Sequence, residues 1–288
     1  MNQNNPTITI TYRFLSLLHK LTCTIRPAQR IQIANVIGKF LFFLLPFRKS
    51  VARKNLMKAF PNKSDYWITK TLYNCYQFYS WNLFQFITLP QAFHETNIEV
   101  VGKDIIDNYL KEENGAILVT GHFGSWELLG AWLGYNGYAA VGVAQQQRNA
   151  GAHQFFYERR GSFGMVQIGR RTKPQKMAEF LKANFFLCLI SDQDARKQGV
   201  FVNFFNQPSS TPKGMAIFHY RTKSPIVFAT IVQLSPDKYE VEFEKVPLPE
   251  NRNIQELTQS FTTMLESKIK EYPEQYFWFH KRWKTKPQ

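Results

Sequence analysis

Residues 116–130 read AILVTGHFGSWELLG, and the change of period inside them decides the fold. Ala116–Thr120 is a run of strand length, apolar up to Val119 and β-branched at Ile117, Val119 and Thr120. Ser125–Tyr135 then repeats its apolar residues at helical spacing as far as Gly137. Between the two, His122 stands in a turn with Gly121 and Gly124, Ser125 is placed to cap the helix, and Glu127 falls in its first turn. Outward from this unit the alternation continues. Tyr138–Ala144, Met165–Ile168 and Phe185–Ser191 read as strands; His153–Arg160, Pro174–Ala183 and Pro212–Arg221 read as helices. Pro225–Leu234 and Lys238–Val246 read as adjacent strands turned at Ser235, Pro236 and Asp237, and Asn253 caps a last helix running to about Lys270. Strands alternating with helices imply an α/β layer fold with a mixed, mostly parallel sheet flanked by helices.

A chain of 288 residues, 44% hydrophobic, can bury one large core or two small ones, and its apolar content excludes disorder as the main state. A mean hydropathy of −0.33 excludes a polytopic membrane protein. Cys23, Cys75 and Cys188 are odd in number and widely spaced, which excludes a disulfide framework and suggests a reducing compartment. The net charge of +15 points to a polyanionic partner, and its distribution is uneven. Residues 1–64 hold eleven Lys and Arg and no acid, residues 65–276 balance, and residues 277–288 add Lys281, Arg282, Lys284 and Lys286.

The N-terminal segment is also apolar. Residues 31–47 repeat Ile33, Ile37, Leu41 and Leu44 at helical spacing, and Phe14–Leu21 is a second apolar stretch flanked by Arg13 and Lys20. The longer run falls a little short of the roughly 20 apolar residues of a span. Apolar plus cationic side chains fit a helix on an anionic membrane face, or a core helix of a soluble domain. Residues 62–89 begin at a cap, Asn62 or Ser64, and carry aromatics nearly all round. Core packing, an interfacial belt and an acyl-chain channel are all consistent with that.

The chemistry centres on His122. A carboxylate bonded to one imidazole nitrogen fixes the tautomer and makes the other nitrogen a general base. Glu127, five residues on and at a helix N-terminus, is the expected orienting carboxylate; a turn histidine beside a capping glutamate has the same spacing. Ser125 lies in no G-x-S-x-G elbow.

With these residues in place, the His122–Glu127 block resembles the H-x4-D/E motif of glycerolipid-type acyltransferases. In its glycine and tryptophan context it resembles the lipid A biosynthesis late acyltransferases, the lauroyl/myristoyl acyltransferase family. Further matching blocks are Arg148 with Asn149; Arg159 and Arg160 before Gly161 and Gly164; Ser191, Asp192, Gln193 and Asp194 followed by Gly199–Val202, Phe204, Phe205 and Pro208; and Pro273–Trp278 with His280–Lys284. The order and spacing agree over about residues 30–285.

The resemblance implies a glycerolipid acyltransferase-like fold, with residues 1–60 a basic, membrane-associated helical segment and residues 61–288 the acyltransferase domain. It implies an acyl thioester on acyl carrier protein as donor and a hydroxyl of a Kdo-bearing lipid A precursor, an anionic glycolipid, as acceptor. The protein would then lie at the cytoplasmic face of a bacterial inner membrane, peripheral or single-pass. His122 would act as base, Glu127 would orient it, and Arg159 would serve the oxyanion or a substrate phosphate. Asp192 would organise the site by pairing with an arginine, Arg159 being the candidate. Asp194, Arg148, Arg160 and Arg282 would bind substrate or organise the site, with the C-terminal charges near an anionic substrate. No cofactor and no metal are implied; Asp192 and Asp194 form a D-x-D pair with no third ligand nearby in sequence, and the other histidines lack metal spacing.

The exposed-looking cluster Arg170, Arg171, Lys173 and Lys176 suits an acidic carrier protein or a phosphorylated lipid, or is simply solvated. Asn203–Asn206 stands where many members have Pro-Phe-Phe-Gly, and His219 and Tyr220 stand where small apolar residues are common. Aromatic residues there are expected to line the pocket and shorten or bend its channel. Other readings keep the motif and change the role: another glycolipid or phospholipid acceptor, or a non-catalytic membrane-binding protein. A nucleic-acid-binding protein would need basic residues spread over a surface, and the balanced middle of the chain argues against one.

Overall fold

The computed structural model describes residues 6–287. Four helices come first, α1 (Pro6–Thr24), α2 (Pro27–Phe43), α3 (Lys49–Ala59) and α4 (Asp65–Thr88), then the single turn α5 (Gln91–His94). The layered part follows: β1 (Asn97–Val101), α6 (Lys103–Lys111), β2 (Ala116–Thr120), α7 (Trp126–Tyr135), β3 (Ala140–Ala144), α8 (Ala150–Arg160), β4 (Val166–Gly169), α9 (Pro174–Lys182) and β5 (Phe186–Ile190). A hairpin, β6 (Val200–Phe204) and β7 (Gln207–Thr211), precedes α10 (Gly214–Thr222), β8 (Ile226–Gln233), β9 (Lys238–Lys245) and α11 (Ile254–Glu271).

Seven strands form one sheet in the order β1-β9-β8-β2-β5-β3-β4. Only β8 and β9 run antiparallel, as their short connection requires; every other pairing is parallel. β2 sits in the middle, and all five of its residues are buried. Both faces of the sheet are covered. Ile117, Val119, Val141 and Leu187 pack on one side with residues of α3, α4, α10 and α11. Leu118, Phe186, Val227 and Ala229 pack on the other with α6 and α7.

Neither β1 nor the β6–β7 hairpin is anticipated by the sequence reading. β1 is a short edge strand with no fully buried residue, so it lacks the apolar run that marks the others. The hairpin turns at Phe205 and Asn206, both left-handed, with φ of 52° and 55°. Asn203–Asn206 therefore forms strand end and turn against α11, where Gln259 and Glu266 accept from the backbone N–H groups of Asn203 and Phe205. His219 and Tyr220 lie on α10, bonded to Ser224 and Asn253. None of these residues lines the cavities described below, which corrects the expectation that they shape the channel.

The N-terminal helices join the same body. Ala34, Gly38 and Phe42 put one face of α2 on α4, where a Cβ on Gly38 would come within 2.9 Å of the Gln77 Cα. Ser64 caps α4 by accepting from the Trp67 N–H. Asn55 of α3 donates to the carbonyls of Trp278 and His280. One of the eleven N-terminal cations, Arg30, is buried and paired with Glu95. The outer faces remain apolar. Ile10, Phe14, Leu17 and Leu21 form a stripe along α1, each more than half exposed, and Val36, Phe40 and Phe43 are exposed on α2. Among the described residues no helix is long and apolar enough to cross a membrane.

Candidate active site

The turn after β2 is held by its backbone. Gly124 has a φ of +62°, and a Cβ there would lie 1.7 Å from the Ile231 carbonyl oxygen, so only glycine fits. Its N–H donates to the Gln275 carbonyl, the Ser125 N–H donates to Ile231, and the Phe277 N–H donates to the His122 carbonyl. The buried Tyr79 hydroxyl bridges the carbonyls of His122 and Gln275. The C-terminal block recognised in the sequence is thus the clamp on the His122 turn. Ser125 stands at the N-cap position of α7, but its hydroxyl makes no capping bond and donates to Asn82 at 2.5 Å.

His122 Nδ1 lies 2.7 Å from Asp192 Oδ1. Strand register explains the pairing: β2 and β5 are parallel neighbours with Thr120 opposite Ile190, so positions 122 and 192 each lie two residues past the same row. Asp192 is 3% exposed. Burial pushes its carboxyl upward, but the His122 ring, its hydrogen bonds and the nearby Arg282 outweigh this and hold it below its ordinary value. An ionised Asp192 accepts Nδ1–H, which assigns the lone pair to Nε2. Nε2 faces the Gln193 side-chain amide at 3.4 Å, and Trp126 lies edge-on to the ring at 5.2 Å.

Glu127 has a different partner from the one expected. Its carboxylate takes a two-pronged contact from Arg160, at 2.6 Å from Nη2 and 2.9 Å from Nε. The helical turn that carries Glu127 leads it along α7 toward the end of α8, while the Asp192 side already occupies His122 Nδ1. Burial lowers the Arg160 guanidinium, and the Glu127 carboxylate more than restores it, so Arg160 keeps its charge.

The remaining residues are distributed around this centre. Arg159 donates to the Leu89 carbonyl at 2.9 Å, meets His19 Nε2 at 3.1 Å, and lines the cavity that holds His122; it is not the partner of Asp192. Arg282 is 2% exposed, and its guanidinium bonds the Ser210 carbonyl and the Thr211 hydroxyl of β7. It is therefore an internal cation beside Asp192, an arrangement in keeping with the site-organising half of its expected role, with its guanidinium enclosed rather than open to an anionic substrate. Asp194 receives the Thr285 hydroxyl at 2.9 Å, and its own N–H donates to His280 Nε2, so it anchors the C-terminal segment. Burial lowers the His280 value, which keeps that acceptor neutral. Arg148 is exposed in the loop before α8. Among the described residues no three His, Cys, Asp or Glu side chains converge as metal ligands.

Two cavities meet at Trp126 and Glu127. One, of about 270 Å³, runs between α7 and the sheet, with His122, Arg159, Arg160 and Gln145 at its polar end and Leu118, Leu129, Leu133 and Met165 deeper in. The other, of about 310 Å³, is bounded by Tyr79, Leu83, Phe86 and Phe277 on the α4 side. Cys188 lines the first, and burial pushes its thiol to about 12, so it supplies no thiolate. Asp192 as the partner of His122 is the functional pairing that sequence spacing misses; the signal for it is the parallel neighbourhood of two strands seventy residues apart.

A strand-end histidine backed by a buried aspartate and opening into an apolar cavity is a general-base arrangement suited to a substrate with a long apolar part. The chain belongs to the family described as bacterial lipid A biosynthesis acyltransferase, which it matches over residues 4–285. It is similar to the phosphatidylinositol mannoside acyltransferase of Mycobacterium tuberculosis, 31% identical over 119 residues, which is 40% of this chain and 38% of that protein. It is also similar to the phosphatidylinositol mannoside acyltransferase of Mycolicibacterium smegmatis, 24% identical over 190 residues, which is 65% of this chain and 62% of that protein.

Proposed function

We propose that the protein transfers a fatty acyl chain from a thioester on acyl carrier protein to a hydroxyl of an anionic, sugar-headed lipid, a Kdo-bearing lipid A precursor being the first candidate. The carrying observation is the 2.7 Å His122–Asp192 contact at the polar end of an apolar cavity. His122 Nε2 removes the acceptor hydroxyl proton as the oxygen attacks the thioester carbonyl. Asp192 holds the ring and stabilises the imidazolium that forms. Arg159, in the same cavity, is the donor for the oxyanion or a substrate phosphate. Collapse of the tetrahedral intermediate breaks the C–S bond, and the imidazolium returns its proton to the departing thiolate. The acyl chain occupies the cavity between α7 and the sheet.

Two surfaces support the partners. Arg170 bonds Gln145 at the cavity mouth, which brings the basic cluster of residues 170–176 to the end of the sheet where an acidic carrier protein would deliver its thioester. The exposed apolar stripe on α1 and α2, with Arg13, Lys20 and Lys39 exposed beside it, fits a peripheral position on an anionic inner membrane at its cytoplasmic face. A mannosylated phosphatidylinositol acceptor is a second reading, favoured by the names of the two similar mycobacterial proteins. The test is mass spectrometry of each acceptor after incubation with acyl-carrier-protein and acyl-coenzyme A donors. One acyl chain is gained with the wild-type protein and, in the same time, far less with His122→Ala; absence of gain with the wild-type protein on both acceptors with every donor overturns the proposal.

A further inference from the structure

The depth of the catalytic cavity is set by rows of residues across the sheet. Thr120 and Ile190 lie opposite one another at the His122 end. Two residues deeper, Leu118, Cys188, Gly142 and Gln167 form one continuous row over β2, β5, β3 and β4, on the same face of the sheet. The next row holds Ala116, Phe186 and Ala140, all essentially inaccessible, and the Phe186 ring closes that level. Each row lies roughly 7 Å beyond the last at the usual strand rise. All four residues of the middle row line the cavity and none of the third does, so the cavity ends between them.

One side chain stands at the level of that last lining row. Met165, just before β4, reaches between α7 and β3. A Cβ built on Gly130 of α7 would lie 3.0 Å from its Sδ, and one built on Gly142 of β3 would lie 3.0 Å from its Cε. Both glycines have negative φ, so backbone conformation does not require them; they stand in the interior of a helix and of a strand, where glycine is entropically unfavourable. What they share is the thioether between them. Methionine is unbranched and has three rotatable bonds, so it can fill such a gap without fixing a rigid floor.

We propose that Met165, seated between Gly130 and Gly142, is the stop that sets the length of acyl chain the enzyme accepts. The inference rests on the acyl-transfer reading of this cavity. Met165→Ala opens the end of the cavity toward the Phe186 row and favours longer chains. Gly142→Ala adds a methyl against the thioether, lifts the floor and favours shorter ones. The double variant, Gly142→Ala with Met165→Ala, returns toward the wild-type preference, an outcome that general damage to packing does not produce.

The experiment measures kcat/KM of the full chain for an even-numbered series of saturated acyl-carrier-protein donors at a fixed acceptor concentration. The expected result is that Met165→Ala moves the optimum by at least one two-carbon step, with the ratio of longer to original donor changing by roughly tenfold or more. Gly142→Ala is expected to move it the other way. Active single variants with an unchanged chain-length profile overturn the proposal. If the wild-type protein transfers no chain from any donor, the acyl-transfer reading fails separately. The stop is then judged by the affinity of wild type and Met165→Ala for free fatty acids of the same lengths: a shift toward longer acids supports it and an unshifted profile overturns it.

Discussion

The cavity that holds His122 has two polar walls, and they are built differently. On the sheet side, His122 and Asp192 come from the ends of adjacent parallel strands, the carboxylate is buried, and the turn is clamped by the 275–277 backbone. On the helical side, Glu127 and Arg160 pair across α7 and α8 with both side chains about one fifth exposed, and Arg159 leans on α1 through His19. A pair with one sealed partner, Asp192, and a clamped turn has one geometry and a defined tautomer. The Glu127–Arg160 pair, with solvent reaching both partners, holds two helices in place and can yield to a charged ligand. Under the proposed function, the contrast gives proton transfer to the sheet wall and substrate binding to the helical wall.

The sharpest way to break that contrast is to remove each wall in turn. His122→Ala and Asp192→Asn are expected to lower kcat by roughly 10²–10⁴, the usual range for a general base and its orienting group, with modest change in KM. Glu127→Gln leaves the His122–Asp192 contact in place and frees Arg160, so a smaller loss is expected, about tenfold to a hundredfold, carried mainly by KM. A Glu127→Gln enzyme whose kcat falls as far as that of Asp192→Asn would show that both walls serve the proton, and the division would fail.

How much of this was legible beforehand follows from the range of each interaction. The β2–turn–α7 unit, the His122 turn and the β8–β9 pair rest on neighbours in sequence, and their periods and glycines announce them. The choice between Glu127 and Asp192 does not. Both are carboxylates within a matched motif, and only the adjacency of β2 and β5 puts Asp192 against Nδ1. Arg282 misleads for a similar reason: a basic C-terminal run reads as surface charge, yet one of its members is enclosed by Phe204 and β7. The hairpin turn at Phe205 and Asn206 was hidden because its left-handed positions carry no glycine.

The helical wall is also the one that touches the outer apolar stripe, since α1 bears on α8 through Tyr12–Glu158 and His19–Arg159. Phe14→Ser with Leu17→Ser removes two exposed side chains from that stripe without disturbing either contact. Sedimentation with anionic phospholipid vesicles is expected to show partitioning reduced by roughly tenfold, given about 1.5–3 kcal/mol for full burial of each such side chain and only partial burial at an interface. Turnover of detergent-dispersed substrate should be unchanged. If vesicle binding is unaffected, the stripe is not the docking surface, and the helical wall loses its link to the lipid.

The smallest expected effect separates the walls by acidity. Because the folded-state value of Asp192 is held below its unfolded one, its ionisation stabilises the fold above roughly pH 4, the unfolded carboxylate value, and this contribution is lost as pH falls through the depressed folded value. Asp192→Asn cannot ionise and lacks this contribution at every pH. The difference in urea midpoint between wild type and Asp192→Asn should therefore hold steady with respect to Asp192 ionisation near neutrality and narrow as pH drops below about 4. A gap that keeps its full size through that acid range would mean that Asp192 stabilises the fold by shape alone. The sheet wall would then owe its order to the 275–277 clamp, and the charge of its carboxylate would matter only in the reaction.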